Sequence, residues 1–175
     1  MRELILGGAR SGKSRLAEER AESSGLEVIY IATAAPRDSA IDPEMAERIR
    51  HHQQQRPSHW QTIEEPIRLA ERLSESAAKG RTLLVDCLTL WLSNLLGGDE
   101  IDEALFEHER SALLRVLPEL SGEIILVSNE VGQGIVPMGK LTRKFCDESG
   151  RLHQDIAKIC DQVTFVTAGL PMKLK

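Results

Sequence analysis

Eight residues near the amino terminus, Gly7-Gly8-Ala9-Arg10-Ser11-Gly12-Lys13-Ser14, combine the groups needed to hold a chain of phosphates. They satisfy G-x-x-x-x-G-K-[ST] at every fixed position, the pattern of a P-loop. The glycines let the backbone curl so that successive N–H groups face one anion. A helix starting at Lys13 adds the positive end of its dipole. Lys13 brings a point charge to the β- and γ-phosphates, and the Ser14 hydroxyl suits a magnesium ion. Asp86 is the matching acid, because it directly follows Thr82-Leu83-Leu84-Val85. A carboxylate at the end of a buried strand positions Mg²⁺ in such proteins. The competing reading of Asp86 is an N-cap for the next helix.

Two further segments carry chemistry. His51-His52 closes a helical pattern that begins at Asp42-Pro43, and His59 follows in Arg56-Pro57-Ser58-His59-Trp60. Metal ligation ranks low, since no carboxylate or cysteine stands at a familiar zinc spacing. A solvated helix end, where His⁺ complements the dipole, is the plain reading. The sharper one is nucleophilic catalysis, in which a neutral imidazole attacks an α-phosphorus and a second substrate discharges the phosphoramidate. The other segment is Ser128-Asn129-Glu130-Val131-Gly132-Gln133-Gly134-Ile135-Val136-Pro137. Glu130 could bind metal or substrate there, or be a surface carboxylate in a tight connection.

The elements that must position these residues alternate. Apolar runs at 4–6, 28–31, 60–63, 83–85, 124–127 and 163–166 read as strands. Helical patterns span 13–24, 43–56, 66–78, 101–117 and 141–160, with Gly150 the place for a break in the last. Strand–helix alternation predicts one α/β domain over residues 1–175, a mostly parallel sheet with helices on both faces. In such sheets ligands bind beyond the carboxyl ends of the strands, here after Leu6, Ile31, Ile63, Val85 and Val127.

Bulk properties narrow the class. A formal net charge of −5 argues against a broad surface for nucleic acid or anionic lipid. Three cysteines without C-x-x-C spacing argue against a disulfide scaffold and fit a reducing cytosol. Met1-Arg2-Glu3-Leu4 lacks a signal-peptide run, and the apolar stretch around 88–96 is too short to span a bilayer. A cytoplasmic protein without membrane insertion is expected. A GTPase switch would carry Asn-Lys-x-Asp, which is absent, and Asp147-Glu148-Ser149-Gly150 is a chance D-x-x-G in a helical stretch. A small-molecule kinase or nucleotidyl transferase suits the size best. A kinase without a covalent intermediate and a nucleotide-dependent assembly module remain as alternatives.

Taken together, the P-loop, Tyr30-Ile31-Ala32-Thr33-Ala34, His51-His52 with Arg56-Pro57-x-His59-Trp60, Val85-Asp86-Cys87-Leu88-Thr89, Asn129-Glu130-Val131-Gly132-x-Gly134-Ile135-Val136-Pro137 and Gly169-Leu170-Pro171-x-x-Leu174-Lys175 resemble the bifunctional adenosylcobinamide kinase / adenosylcobinamide-phosphate guanylyltransferase family. The resemblance covers essentially the whole chain. It implies a RecA-like P-loop NTPase fold, homotrimers and a place in cobalamin assembly. It further implies phosphorylation of adenosylcobinamide by ATP or GTP, then transfer of GMP from GTP to adenosylcobinamide phosphate with release of pyrophosphate. The guanylylated nucleophile of the family corresponds to His52. Nucleotide contacts correspond to Gly7, Gly8, Ala9, Arg10, Ser11, Gly12, Lys13 and Ser14, to Ala32, Thr33 and Ala34, to Gln53, Gln54, Gln55 and Arg56, and to Glu64 and Asp86. Mg²⁺ is expected between Ser14 and Asp86.

Overall fold

The computed structural model describes residues 1–34, 47, 57–97 and 101–175. Its strands are β1 (Arg2–Gly7), β2 (Glu27–Ala32), β3 (Gln61–Glu64), β4 (Arg81–Asp86), β5 (Glu123–Asn129), β6 (Gln162–Thr167) and β7 (Leu170–Lys173). They form one sheet in the order β3-β2-β4-β5-β1-β6-β7. The first six run parallel, and β7 returns antiparallel along β6. The described helices are α1 (Lys13–Ser23), α2 (Leu69–Ser76), α3 (Leu88–Leu96), α4 (Glu103–Val116) and α5 (Lys140–Ile159).

The sheet is covered on both faces, as the continuous apolar runs require. Alternate side chains divide the core in two. Ile5, Tyr30, Leu84, Ile125 and Val127 point to one side, where Ala17 and Ala21 let α1 lie close. Leu4, Leu6, Ile31, Leu83, Val85, Ile124 and Leu126 point to the other, against Leu73 of α2, Trp91 and Leu92 of α3, Phe106 and Leu113 of α4 and Ile156 of α5. Each fully buried large side chain contributes roughly 1.5–3 kcal/mol, so the four-helix face carries the larger share of the stabilisation.

Several elements depart from their predicted form. The stretch 88–96 is not merely apolar sequence but α3, with six of its nine residues buried, including Leu88, Trp91, Leu92 and Leu95. Its polar face is so narrow that no helical period shows. β7 is also unforeseen, because all four of its residues are exposed and Pro171 interrupts the pattern. Proline is tolerated on an edge strand, where its missing N–H faces no neighbour. α5 runs through Gly150 without a break. A mid-helix glycine costs about 1 kcal/mol, which the burial of Leu152 and Ile156 outweighs. α2 starts only at Leu69, since the Glu65 carboxylate accepts from the N–H groups of Ile67 and Arg68 at 3.0 and 2.7 Å and shapes a turn there. The helix expected over 43–56 lies outside the described residues.

Candidate functional site

The carboxyl ends of the parallel strands share one edge of the sheet, and β5 lies between β1 and β4 along it. This order brings the P-loop and Asp86 to neighbouring positions. After β1 the chain turns through Arg10 and Gly12, both with positive φ (55° and 96°). Gly12 thereby serves as a left-handed N-cap for α1 and leaves its first turn without a side-chain cap. The amide groups at that end remain available to an anion.

Close packing fixes the loop. A Cβ on Gly7 would meet Ser11 Oγ and the Val166 carbonyl at 2.5 Å, so only glycine fits there. The turn between β6 and β7, with Ala168 and Gly169 at positive φ, supports the loop from outside. Gly169 N–H donates to the Ser11 carbonyl at 2.8 Å. Ser11 Oγ is buried without a hydrogen-bond partner. Ala9 and Arg10 are exposed at the tip, and Ser14 is half-buried at the start of α1.

Lys13 is buried, with Nζ donating to the Gly8 carbonyl at 3.2 Å. Burial lowers its pKa, and the neighbouring Asp86 carboxylate opposes that shift. Asp86 closes β4 and accepts from the Tyr30 hydroxyl at 3.0 Å through Oδ2. Tyr30 thus fixes the acid from β2, a role its place in an apolar run did not reveal. Cys87, joined to Asp86 by a cis peptide bond, is no candidate nucleophile. Burial, reinforced by Asp86, pushes its thiol up to about 11.

The segment after β2 is fixed by Thr33. Its hydroxyl donates to the Cys87 carbonyl at 2.6 Å and accepts from the Cys87 N–H at 2.8 Å. Asn94 of α3 donates to the carbonyls of Thr33 and Pro66 at 2.8 and 3.0 Å, joining the exits of β2 and β3. Ala32 and Ala34 are half-buried beside it. Glu64 stands exposed at the end of β3, paired in register with Ala32. Adjacent Glu65 spends its carboxylate on the turn into α2.

A polar cluster at the exit of β5 escaped the sequence reading. His153 of α5 is buried, and its Nε2 lies 2.8 Å from Ser128 Oγ. Ser128 Oγ is in turn 3.2 Å from Thr89 Oγ1, which accepts from Asn129 N–H at 2.7 Å. These partners are 25 to 40 residues apart, so no local pattern announces them. His59 belongs elsewhere. It precedes β3 at the opposite edge of the sheet, 3.5 Å from Glu22, which also accepts from the buried Trp60 indole at 2.8 Å. His59 is an exposed side chain in the turn ahead of β3. His51, His52, Gln53, Gln54, Gln55 and Arg56 lie outside the described residues.

Lys13 beside a carboxylate at the strand exits, under an uncapped helix start, can bind and polarise a nucleoside triphosphate. Similar proteins agree with that chemistry. A family model described as cobinamide kinase / cobinamide phosphate guanyltransferase matches residues 3–174. The bifunctional adenosylcobalamin biosynthesis protein CobP of Pseudomonas aeruginosa is 60% identical over 175 residues, spanning 100% of this chain and 98% of that protein. The bifunctional adenosylcobalamin biosynthesis protein CobU of Escherichia coli is 38% identical over 183 residues, spanning 98% of each. Among solved structures, the flagellar accessory protein FlaH of Methanocaldococcus jannaschii aligns with a TM-score of 0.53 at 14% identity, covering 99% of this chain and 77% of that one. A type III secretion ATPase aligns with a TM-score of 0.52 at 14% identity, covering 95% of this chain and 51% of that one. These two likenesses concern the fold alone, which is the RecA-like P-loop arrangement.

Proposed function

This chain belongs to the cobinamide kinase / cobinamide phosphate guanyltransferase family, and from that premise we propose that its single P-loop serves both transfers. In the first, ATP or GTP phosphorylates the hydroxyl of adenosylcobinamide. In the second, GTP transfers GMP to adenosylcobinamide phosphate and releases pyrophosphate. The observation that carries this reading is Lys13, buried against the Gly8 carbonyl with Asp86 across from it. Phosphate oxygens replace that carbonyl as the partner of the ammonium when a triphosphate enters.

The donor set fits magnesium. Mg²⁺ takes hard oxygen ligands, keeps several waters and needs only one or two protein groups beside the substrate phosphates. Asp86 and Ser14 supply such oxygens, while no cluster of three or more ionisable ligands occurs among the described residues. When bound there, the ion would neutralise charge on the phosphates. Lys13 and the P-loop N–H groups hold the leaving phosphates in place. For guanylyl transfer, neutral His52 attacks the α-phosphorus as the bond to pyrophosphate breaks. The phosphate of the acceptor then displaces histidine from the guanylyl group.

The nucleotide contacts follow the same reading: residues 7–14, Ala32, Thr33, Ala34, Gln53, Gln54, Gln55, Arg56, Glu64 and Asp86. A homotrimer is part of it, supported by the open edge of β7 with Leu170 and Met172 exposed. So is a cytoplasmic location; no helix among the described residues is long and apolar enough to cross a membrane.

Incubation with GTP labelled at the α-phosphate tests the covalent step. Acid-labile, alkali-stable label should appear on the native protein, vanish in His52→Ala and leave when cobinamide phosphate is added. Label that persists in His52→Ala would overturn the assignment of the nucleophile.

A further inference from the structure

Phosphorylating a hydroxyl releases a proton, whereas transferring GMP to a phosphate does not. The kinase step therefore has a need that the second step lacks. In an in-line displacement the acceptor approaches the γ-phosphorus from the side opposite the leaving nucleotide. The nucleotide rests on the P-loop and α1, so the acceptor's side is the one facing away from α1.

Glu130 stands beside the P-loop, on the α5 side of the sheet. Its backbone N–H donates to the Gly7 carbonyl at 3.1 Å, which places it one residue beyond β5 and against the first residue of the P-loop. Val127 packs on the α1 face, whereas Ser128 and Glu130 turn toward His153 of α5. One carboxylate oxygen, Oε1, accepts from Gly132 N–H at 2.6 Å. The other, Oε2, lies 3.7 Å from His153 Nδ1, an atom buried without a hydrogen-bond partner. One hydrogen bond, from Gly132 N–H, holds the carboxylate, the His153 ring stands beside it, and the group remains partly exposed.

The hydrogen-bond chain behind it has one sensible direction. A bare imidazole nitrogen facing a carboxylate would be repelled, so Nδ1 carries the proton. Nε2 then accepts from the Ser128 hydroxyl. Ser128 in turn accepts from Thr89, whose oxygen takes the Asn129 N–H. The other carboxylates at this edge are less well placed. Asp86 is held by Tyr30, and Glu64 lies at the end of β3, at the far margin of the sheet from β1.

We propose that Glu130 accepts the proton of the acceptor hydroxyl during phosphoryl transfer and that His153 is the residue that positions it. The acceptor oxygen bonds to the γ-phosphorus while the bond from that phosphorus to the bridging oxygen breaks. The electron pair leaves with the nucleoside diphosphate, and the proton passes to Glu130 and then to solvent. His153 takes no part in bond making; its Nδ1 faces Oε2 at 3.7 Å and favours that orientation electrostatically.

This inference rests on the two-reaction reading, and the test separates them. Both rates are measured on each protein: phosphorylation of cobinamide, and guanylyl transfer to supplied cobinamide phosphate. Glu130→Gln should lower kinase kcat about 100-fold, as loss of a general base does, and lower guanylyl transfer far less. His153→Leu should lower the ratio of kinase to guanylyl rate in the same direction through kcat, with the KM for nucleotide unchanged. His153→Asn, which keeps an N–H donor, should recover much of that loss. Equal losses of both reactions in Glu130→Gln, or full kinase activity in that variant, would overturn the proposal. Native protein that performs neither transfer would overturn the reading beneath it as well.

Discussion

After β1 the chain passes through Gly8 to Gly12 and makes its binding surface from its own backbone. After β5, one strand away, the surface is made by side chains that meet from α3, β5 and α5. In the first region, identity matters because of shape: Gly7 has no room for a Cβ and Gly12 needs positive φ. In the second, it matters because of partners, since Ser128, His153 and Thr89 each complete another's hydrogen bonding. A backbone-built site tolerates few residue types but needs little help from afar. A side-chain network tolerates more types, provided that the donors and acceptors still balance.

Three substitutions press on that contrast. Lys13→Ala removes the charged group that the backbone loop presents, and both transfers should fall about 10²- to 10³-fold, as when one transition-state donor is lost. Steady-state rates with cobinamide and with cobinamide phosphate check this, and intact turnover of either substrate would contradict the role of Lys13. Gly7→Ala tests shape alone. Its new methyl meets the immovable Val166 carbonyl, and overpacking of that kind costs about 1–3 kcal/mol. Titration calorimetry with GTP should show weakened binding, and native affinity would mean that the loop has slack.

The smallest effect concerns His153 and acid. Burial lowers its pKa below the ordinary imidazole value, although Glu130 pulls the other way. The folded protein then binds this proton less readily than the unfolded chain does. Its contribution to stability is complete above the ordinary imidazole pKa of 6.5 and declines as pH falls below it. Urea unfolding at pH 7 and pH 5 should show a shallower acid loss in His153→Asn than in the native chain. An identical slope would mean that His153 does not titrate differently on folding.

How legible each region was follows from the same contrast. The P-loop and Asp86 were readable because motif and strand pattern are local: glycines at fixed offsets, and an acid directly after an apolar run. Tyr30 as the support of Asp86 was not, because the partner lies 56 residues away. α3 was hidden by its own burial, which erased the polar face on which a helical period depends. β7 was hidden by exposure, which erased the alternation on which a strand period depends.

By itself, the sequence determined a phosphate-binding loop, a strand-end acid, an alternating α/β order and a resemblance that the family match bears out. These depend on backbone conformation and hydrophobic period, which neighbouring residues set together. Only the tertiary structure decided which strands are adjacent, and so that β5 lies between the P-loop and Asp86. It alone placed His153 under Ser128 and Glu130, and His59 at the opposite edge. Such pairings arise when the sheet closes and distant side chains are brought within hydrogen-bond range. No spacing along the chain encodes that distance.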